Sequence, residues 1–131
     1  MRTSLMKTWF LAAVLVSACA GTALAQEPTN TAFNKWCLPC HSAGPGATIK
    51  LGPPLNGIDG RKAGTFPGFS YSDAMKNSGI TWNDAVFKEY IGNPMQKVQG
   101  TRMAFAGVRD TKEQDELWAY LKQFDAEGYK K

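Results

Sequence analysis

Residues 34–42 read NKWCLPCHS, and the chemistry of this stretch decides the fold. Cys37 and Cys40 are separated by two residues, and His41 follows immediately. Such a cysteine pair occurs as a redox-active disulfide, as half of a zinc site, or as the attachment point of a haem group. The residues around the pair distinguish between these three alternatives.

Two of the alternatives find little support elsewhere in the chain. A thiol–disulfide oxidoreductase places its reactive cysteine at a helix N-terminus after a strand, whereas residues 29–40 read as a helix that ends with the pair. A structural zinc ion needs four ligands. Beyond the first 25 residues the chain holds two cysteines and one histidine, which is one ligand too few.

Covalent haem attachment accounts for all three residues of the motif. Cys37 and Cys40 can each add to a haem vinyl group, and His41 then reaches the iron from the same side. An export signal, described below, and the absence of other cysteines from the rest of the chain favour this interpretation. The sequence therefore predicts a haem protein.

The second axial ligand is not settled by the residues alone, because His41 is the only histidine in the sequence. Met75, Met95 and Met103 offer thioethers, which stabilise Fe(II). Periodicity does not choose among them, although Met103 lies in a glycine-bounded loop. A six-coordinate iron suits electron transfer, whereas an open sixth position suits a peroxidase-like enzyme or a ligand sensor.

The first 25 residues are typical of an export signal. They combine Arg2 and Lys7, an apolar run at residues 9–16 and a small-residue cleavage pattern at residues 23–25. We therefore predict a signal peptide at residues 1–25, removed on export to a bacterial periplasm.

The mature chain then consists of one domain at residues 26–131. Residues 16–19 (VSAC) also resemble a lipobox, so a form anchored to the membrane through an acylated Cys19 is the alternative localisation. Otherwise we expect membrane association only through partners.

The charge of the chain is mild. It has 15 Lys and Arg against 11 Asp and Glu, a net charge of +4, and loss of Arg2 and Lys7 with the signal leaves +2. No basic cluster with interleaved aromatic residues is present, so we expect no nucleic-acid partner.

Apolar spacing predicts helices and no strands. Helices are expected at residues 29–40, 72–78 and 83–92, and a last one opens at a capping-box-like sequence, residues 110–113, and continues to Phe124. The long Gly- and Pro-rich stretch between the first two helices is unusual in a small domain, unless it wraps a large apolar group.

From about Phe33 to Phe124 the sequence resembles class I cytochromes c of the mitochondrial and bacterial c2-like type. The matching segments, in order, are residues 37–41 (CLPCH), 52–57 (GPPLNG), 60–64 (GRKAG), 67–74 (PGFSYSDA), 79–82 (GITW), 90–94 (YIGNP) and 100–107 (GTRMAFAG). The resemblance implies an all-α small cytochrome c fold of about four to five helices, with long loops wrapped around one covalent haem c. It also implies an electron carrier, not an enzyme.

The resemblance further implies roles for individual residues. Met103 becomes the axial ligand opposite His41, and the Pro53 carbonyl accepts a hydrogen bond from the imidazole and orients it. Tyr90 matches the residue whose hydroxyl lies near the methionine sulfur. The residues that match positions around the haem propionates are Arg61, Tyr71, Trp82 and Thr101.

Partners are implied as well: a bc1-type quinol-oxidising complex as donor, and a terminal oxidase or photosynthetic reaction centre as acceptor. The family usually surrounds the exposed haem edge with lysines. In this chain, several matching positions are neutral or acidic: Thr31, Trp36, Met95, Gln96 and Asp110. We expect docking near Trp36, Lys50, Met95, Arg102 and Arg109, with a weak dependence on salt.

Two departures from the family pattern lie away from the expected ligands. Thr29 stands where a glycine is common at the crossing of the first and last helices, so we expect a looser contact there. Met75 replaces a usual asparagine near an internal water, which we expect to shift the reduction potential or the local stability.

Overall fold

Five helices make up the regular structure of residues 29–131, the part of the chain that the computed structural model describes. They are α1 (Thr31–Trp36), α2 (Asp73–Lys76), α3 (Asp84–Gly92), α4 (Pro94–Lys97) and α5 (Thr111–Leu121). Pairing between extended segments in this part is limited to two isolated bridges, so the all-α prediction is confirmed. The expected signal peptide and the lipobox at Cys19 lie outside the described residues.

The first helix is shorter than its apolar pattern predicts. α1 ends at Trp36, and residues 37–40 form turns in which the amides of Cys40 and His41 both donate to the Cys37 carbonyl, at 3.0 and 2.8 Å. Pro39 explains this early end, because proline has no amide hydrogen and disfavours helical geometry in the residue before it. The two cysteines therefore lie on a turn.

The Gly92-Asn93-Pro94 sequence ends one helix and also begins another. The Asn93 side chain accepts a hydrogen bond from the Gln96 amide, and Pro94 occupies the first turn of α4. Proline interrupts a helix interior but is favourable at its first position. The sequence pattern predicts the end of α3 correctly and misses α4.

The core forms where α5 packs against α1 and α3. Leu117 and Leu121 of α5 are completely buried, and the Phe33 and Tyr120 rings lie 5.1 Å apart between centroids. Trp118 joins the same helix to α3. The spacing of the apolar residues in α5 predicts this face, because positions three and four apart share one side of a helix.

The crossing of α1 and α5 is closed by a carboxylate. Glu116 of α5 accepts hydrogen bonds from the Thr29 hydroxyl and, at 3.1 Å, from the Ala32 amide. Asn30, the residue at the helix start, provides no side-chain cap of its own. Thr29 thus adds a contact, where a looser one was expected, and Glu116 caps α1 from the opposite helix.

The long loop before α2 is ordered by side-chain contacts in place of a sheet. Asn56 is buried and pairs with both backbone groups of Gly44, at 2.8 and 3.0 Å. Gly128 lies against both Gly44 and Asn56, and a Cβ on it would lie 2.5 Å from the Asn56 amide nitrogen. The C-terminal turn therefore closes over the loop.

Candidate haem-binding site

A cavity of about 600 Å³ is lined both by the CLPCH turn and by residues 101–105, in the loop after α4. Its walls are mainly apolar and include Leu55, Trp82 and Phe87. Cavities of roughly 300–1,000 Å³ are the size that proteins use for cofactors and small ligands.

Nine of the ten site residues expected from the sequence line this cavity. They are Cys37, Cys40, His41, Pro53, Tyr71, Trp82, Tyr90, Thr101 and Met103. Arg61 does not line it.

The two cysteines lack the properties of a redox-active pair. No disulfide joins Cys37 and Cys40. Burial, together with the neighbouring Cys40, raises the pKa of the Cys37 thiol to about 12, whereas reactive cysteines in disulfide oxidoreductases have lowered pKa values. The environment therefore disfavours the thiolate that thiol–disulfide exchange requires.

The imidazole of His41 is held in one orientation. Its Nδ1 lies 2.8 Å from the Pro53 carbonyl and donates to it, which leaves Nε2 as the nitrogen with a lone pair for a metal. Burial lowers the pKa of His41, so the ring is neutral at neutral pH, the form that binds iron.

Gly52 makes room for this ring. A Cβ at position 52 would lie 2.6 Å from His41 Nδ1 and closer still to Cε1. The Gly52 amide also donates to the Cys40 carbonyl at 2.8 Å. Gly52 lies in a segment that matches the family, but no sequence pattern indicates it as a site residue, because its role depends on the missing side chain.

The three methionines lie in different environments. Met95 is 61% exposed and does not line the cavity, whereas Met75 and Met103 both line it. Only Met103 of these two has a described hydrogen bond to its sulfur: the Tyr90 hydroxyl donates to Sδ at 3.4 Å.

A short chain of hydrogen bonds fixes this methionine. The Tyr90 hydroxyl lies 3.1 Å from the Thr101 hydroxyl, which in turn accepts from the Met103 amide at 3.3 Å. Burial raises the pKa of Tyr90, so its hydroxyl keeps the proton that it donates. Trp82 packs edge-on against the Tyr90 ring, with centroids 5.1 Å apart.

Arg61 and Tyr71, two further polar residues expected at the site, both contact Phe66. The Tyr71 hydroxyl accepts from the Phe66 amide at 3.1 Å. Arg61 donates to the Asn56 carbonyl at 2.7 Å and stacks over the Phe66 ring, while its Nε is buried without a hydrogen-bond partner among the described residues. Burial lowers the pKa of Arg61.

The donor set fits a covalently bound haem. An oriented neutral imidazole, a hydrogen-bonded thioether and two cysteines line one apolar cavity, and these are the groups that c-type haem attachment and six-coordinate iron require. All of these groups belong to residues 37–103.

The chain is similar to several known bacterial proteins. It is 61% identical over 105 residues to cytochrome c2 of Rhodoplanes tepidamans, which covers 80% of this chain and 97% of that protein. It is 52% identical over 118 residues to cytochrome c2 of Blastochloris viridis, covering 90% and 93% of the two chains. Cytochrome c-550 of Bradyrhizobium diazoefficiens is 58% identical over 98 residues, 75% of this chain and 71% of that protein. No protein-family model matches the chain.

Proposed function

Because this chain belongs to the cytochrome c2 family of class I cytochromes c, we propose that it is a periplasmic carrier of single electrons. Family membership establishes a c-type haem, attached through Cys37 and Cys40, and electron transport as the general function. The proposal goes further. The protein takes electrons from a bc1-type quinol-oxidising complex and passes them to a terminal oxidase or photosynthetic reaction centre, and it is not an enzyme.

The axial ligands in this proposal are His41 and Met103. The single observation that carries it is the hydrogen bond from Tyr90 to Met103 Sδ, in the same cavity as the oriented His41 imidazole. A His/Met pair raises the reduction potential of haem iron. Hydrogen bonds that fix both side chains also keep their movement small when the oxidation state changes.

The haem supplies the iron that alternates between Fe(II) and Fe(III), and the chain controls its surroundings. Apolar walls such as Trp82 and Phe87 exclude water and destabilise the extra positive charge of Fe(III). The Pro53 carbonyl keeps the His41 ring in place. These effects favour a stable, reversible one-electron carrier.

Docking is proposed at the face formed by Trp36, Lys50, Met95, Arg102 and Arg109. Met95, Arg102 and Arg109 are exposed, and Trp36 is half-buried. The Lys50 ammonium donates to the Leu38 carbonyl and lies 3.5 Å from the His41 carbonyl, so part of its hydrogen-bonding capacity is used within the protein.

Two nearby lysines are also engaged within the protein. Lys35 pairs with Glu113 at 2.6 Å, and Lys97 pairs with Glu89. Their charges are partly neutralised by these ion pairs, and the docking face itself combines three cations with the apolar Trp36 and Met95. This supports an association with partners that depends weakly on salt.

Two experiments on the haem-loaded protein test the function. The first follows electron transfer to and from purified bc1-type complex, oxidase and reaction centre by stopped-flow absorbance, and rapid transfer with at least one donor and one acceptor is expected. The second mixes the native reduced protein with carbon monoxide. Rapid CO binding would indicate an open sixth position and contradict the carrier assignment in favour of a ligand-binding haem protein.

The proposed localisation depends on the N-terminus. None of the helices within residues 29–131 is long and apolar enough to cross a membrane. Mass spectrometry of the mature protein should give a chain that begins at Gln26. A chain that begins at an acylated Cys19 would replace the periplasmic carrier by a lipid-anchored one.

A further inference from the structure

Trp36 and Phe105 join the haem-attachment segment to the loop that carries Met103. Trp36 immediately precedes Cys37, and Phe105 follows Met103 by two residues. Both side chains line the cavity. Their rings meet edge to face, with centroids 6.0 Å apart and 66° between the planes.

The indole of Trp36 is fixed from another direction by a second contact. The Lys35 ammonium lies 4.5 Å from the centroid of the ring and forms an ion pair with Glu113 of α5 at 2.6 Å. The indole Nε1 is buried without a hydrogen-bond partner among residues 29–131. Among these residues, Trp36 therefore makes its contacts through the faces and edges of its ring and not through its N–H.

The loop from Gly100 to Gly107 has few other attachments. It contains no regular secondary structure, and Gly100 and Gly107 adopt positive φ angles of 93° and 103°. Both amides described as hydrogen-bonded at its tip, those of Met103 and Phe105, donate to groups within the loop itself. The loop is therefore held to the rest of the protein mainly by side chains: Thr101 and Met103 form hydrogen bonds with Tyr90, and Phe105 contacts Trp36.

We propose that Trp36 is a positioning residue that holds the Met103 loop closed over the iron. The Trp36–Phe105 contact biases the loop toward the conformation in which Met103 is bound, and it thereby limits replacement of Met103 by an external ligand. The exchange breaks one iron–sulfur bond and forms one iron–nitrogen bond without change of oxidation state. This inference rests on the proposed ligation by His41 and Met103.

Imidazole binding to the oxidised haem-loaded protein tests the inference. Aromatic pairs of this geometry contribute enough that Trp36→Ala should raise the apparent affinity for imidazole by about two- to tenfold. Trp36→Phe keeps an aromatic edge against Phe105 and should restore the affinity to within about twofold of the original protein. Tyr129→Ala, which removes an aromatic ring at an exposed site outside the cavity, is the matched control and should leave the affinity for imidazole unchanged.

A double-variant cycle keeps the test decisive if Trp36→Ala folds poorly. Phe105→Leu removes the same ring contact from the loop side, and Trp36→Leu removes it while keeping an apolar side chain at position 36. The two substitutions together should change the affinity by less than their separate effects combined, because both act on one contact. Unchanged imidazole affinity in Trp36→Ala and Phe105→Leu would overturn the inference. The proposed function fails differently: the original protein itself would then lack the far-red band of a thioether bound to Fe(III).

Discussion

The imidazole of His41 lies against Gly52, a residue without a side chain, and under the Pro53 carbonyl. The CLPCH motif predicts that a histidine binds the iron. The orientation of its ring depends on a segment eleven and twelve residues further along the chain. The sequence therefore indicates which residue types form the site, and the structure shows which neighbouring residues orient the His41 ring.

Gly52→Ala tests this dependence. The added Cβ would overlap the His41 ring, so we expect displaced imidazole, a lower yield of haem-loaded protein and a loss of about 1–3 kcal/mol in the free energy of unfolding. Gly92→Ala is the control. A Cβ at Gly92 meets nothing closer than 3.4 Å, and the position ends α3, so its stability should change little. Equal effects of the two substitutions would contradict the role given to Gly52.

Arg61 depends on contacts that its sequence neighbours do not indicate. Its place in a matching segment implies a contact with the haem propionates, which stays a prediction; its guanidinium donates to the Asn56 carbonyl and does not line the cavity. The path of the loop decides this, and that path depends on long-range contacts such as the pairing of Asn56 with Gly44. No local pattern in the sequence indicates such a contact.

At the scale of elements, α1 depends on α5 for its beginning as well as for its packing. The Glu116 carboxylate accepts hydrogen bonds from the Thr29 hydroxyl and the Ala32 amide, and these hydrogen bonds lower the pKa of Glu116. Helix N-termini favour negative charge, because their first amides lack partners within the helix. The sequence could not indicate this cap, since donor and acceptor are more than eighty residues apart.

The lowered pKa of Glu116 predicts a pH-dependent contribution to stability. A carboxylate whose folded pKa lies below the unfolded value of about 4.3 stabilises the protein fully above that value, and the stabilisation is lost as pH falls through the folded pKa. Glu116→Gln should therefore cost less than about 1 kcal/mol at neutral pH, because the group is partly exposed to solvent and its charge is screened. The difference from the original protein should disappear in acid.

Chemical denaturation at several pH values measures this difference. Asp59→Asn, at an exposed loop position, is the control for loss of one acidic charge. A Glu116→Gln effect that stays constant from neutral to strongly acid pH would show that the carboxylate charge does not provide the stabilisation.

Helix boundaries were predicted less well than helix existence, for identifiable reasons. Pro39 ends α1 early, and Pro94 begins α4 directly after the end of α3. A proline can follow the end of one helix or occupy the first turn of the next. Here the Asn93 side chain, which caps the start of α4, distinguishes the two cases. The apolar face of α5, set by regular spacing, was predicted correctly.

At the scale of the whole molecule, charge is distributed so that lysines near the proposed docking face are held in ion pairs. We expect the rate of electron transfer with a partner to fall by less than about tenfold between low and moderate salt, against the roughly hundredfold or more that strong electrostatic steering gives. The double substitution Met95→Lys with Gln96→Lys should make the dependence steeper. A steep fall in the original protein, matching that of the lysine variant, would contradict the weak dependence on salt that is proposed for this docking face.

One absorption spectrum distinguishes which methionine binds the iron opposite His41. The oxidised, haem-loaded protein is compared with its Met75→Ala, Met95→Ala and Met103→Ala variants in the far-red region, where a thioether bound to Fe(III) absorbs. The original protein and the first two variants should show the band, and Met103→Ala should lose it. A band that persists in Met103→Ala, or that disappears in Met75→Ala while remaining in Met103→Ala, would contradict ligation of the iron by Met103.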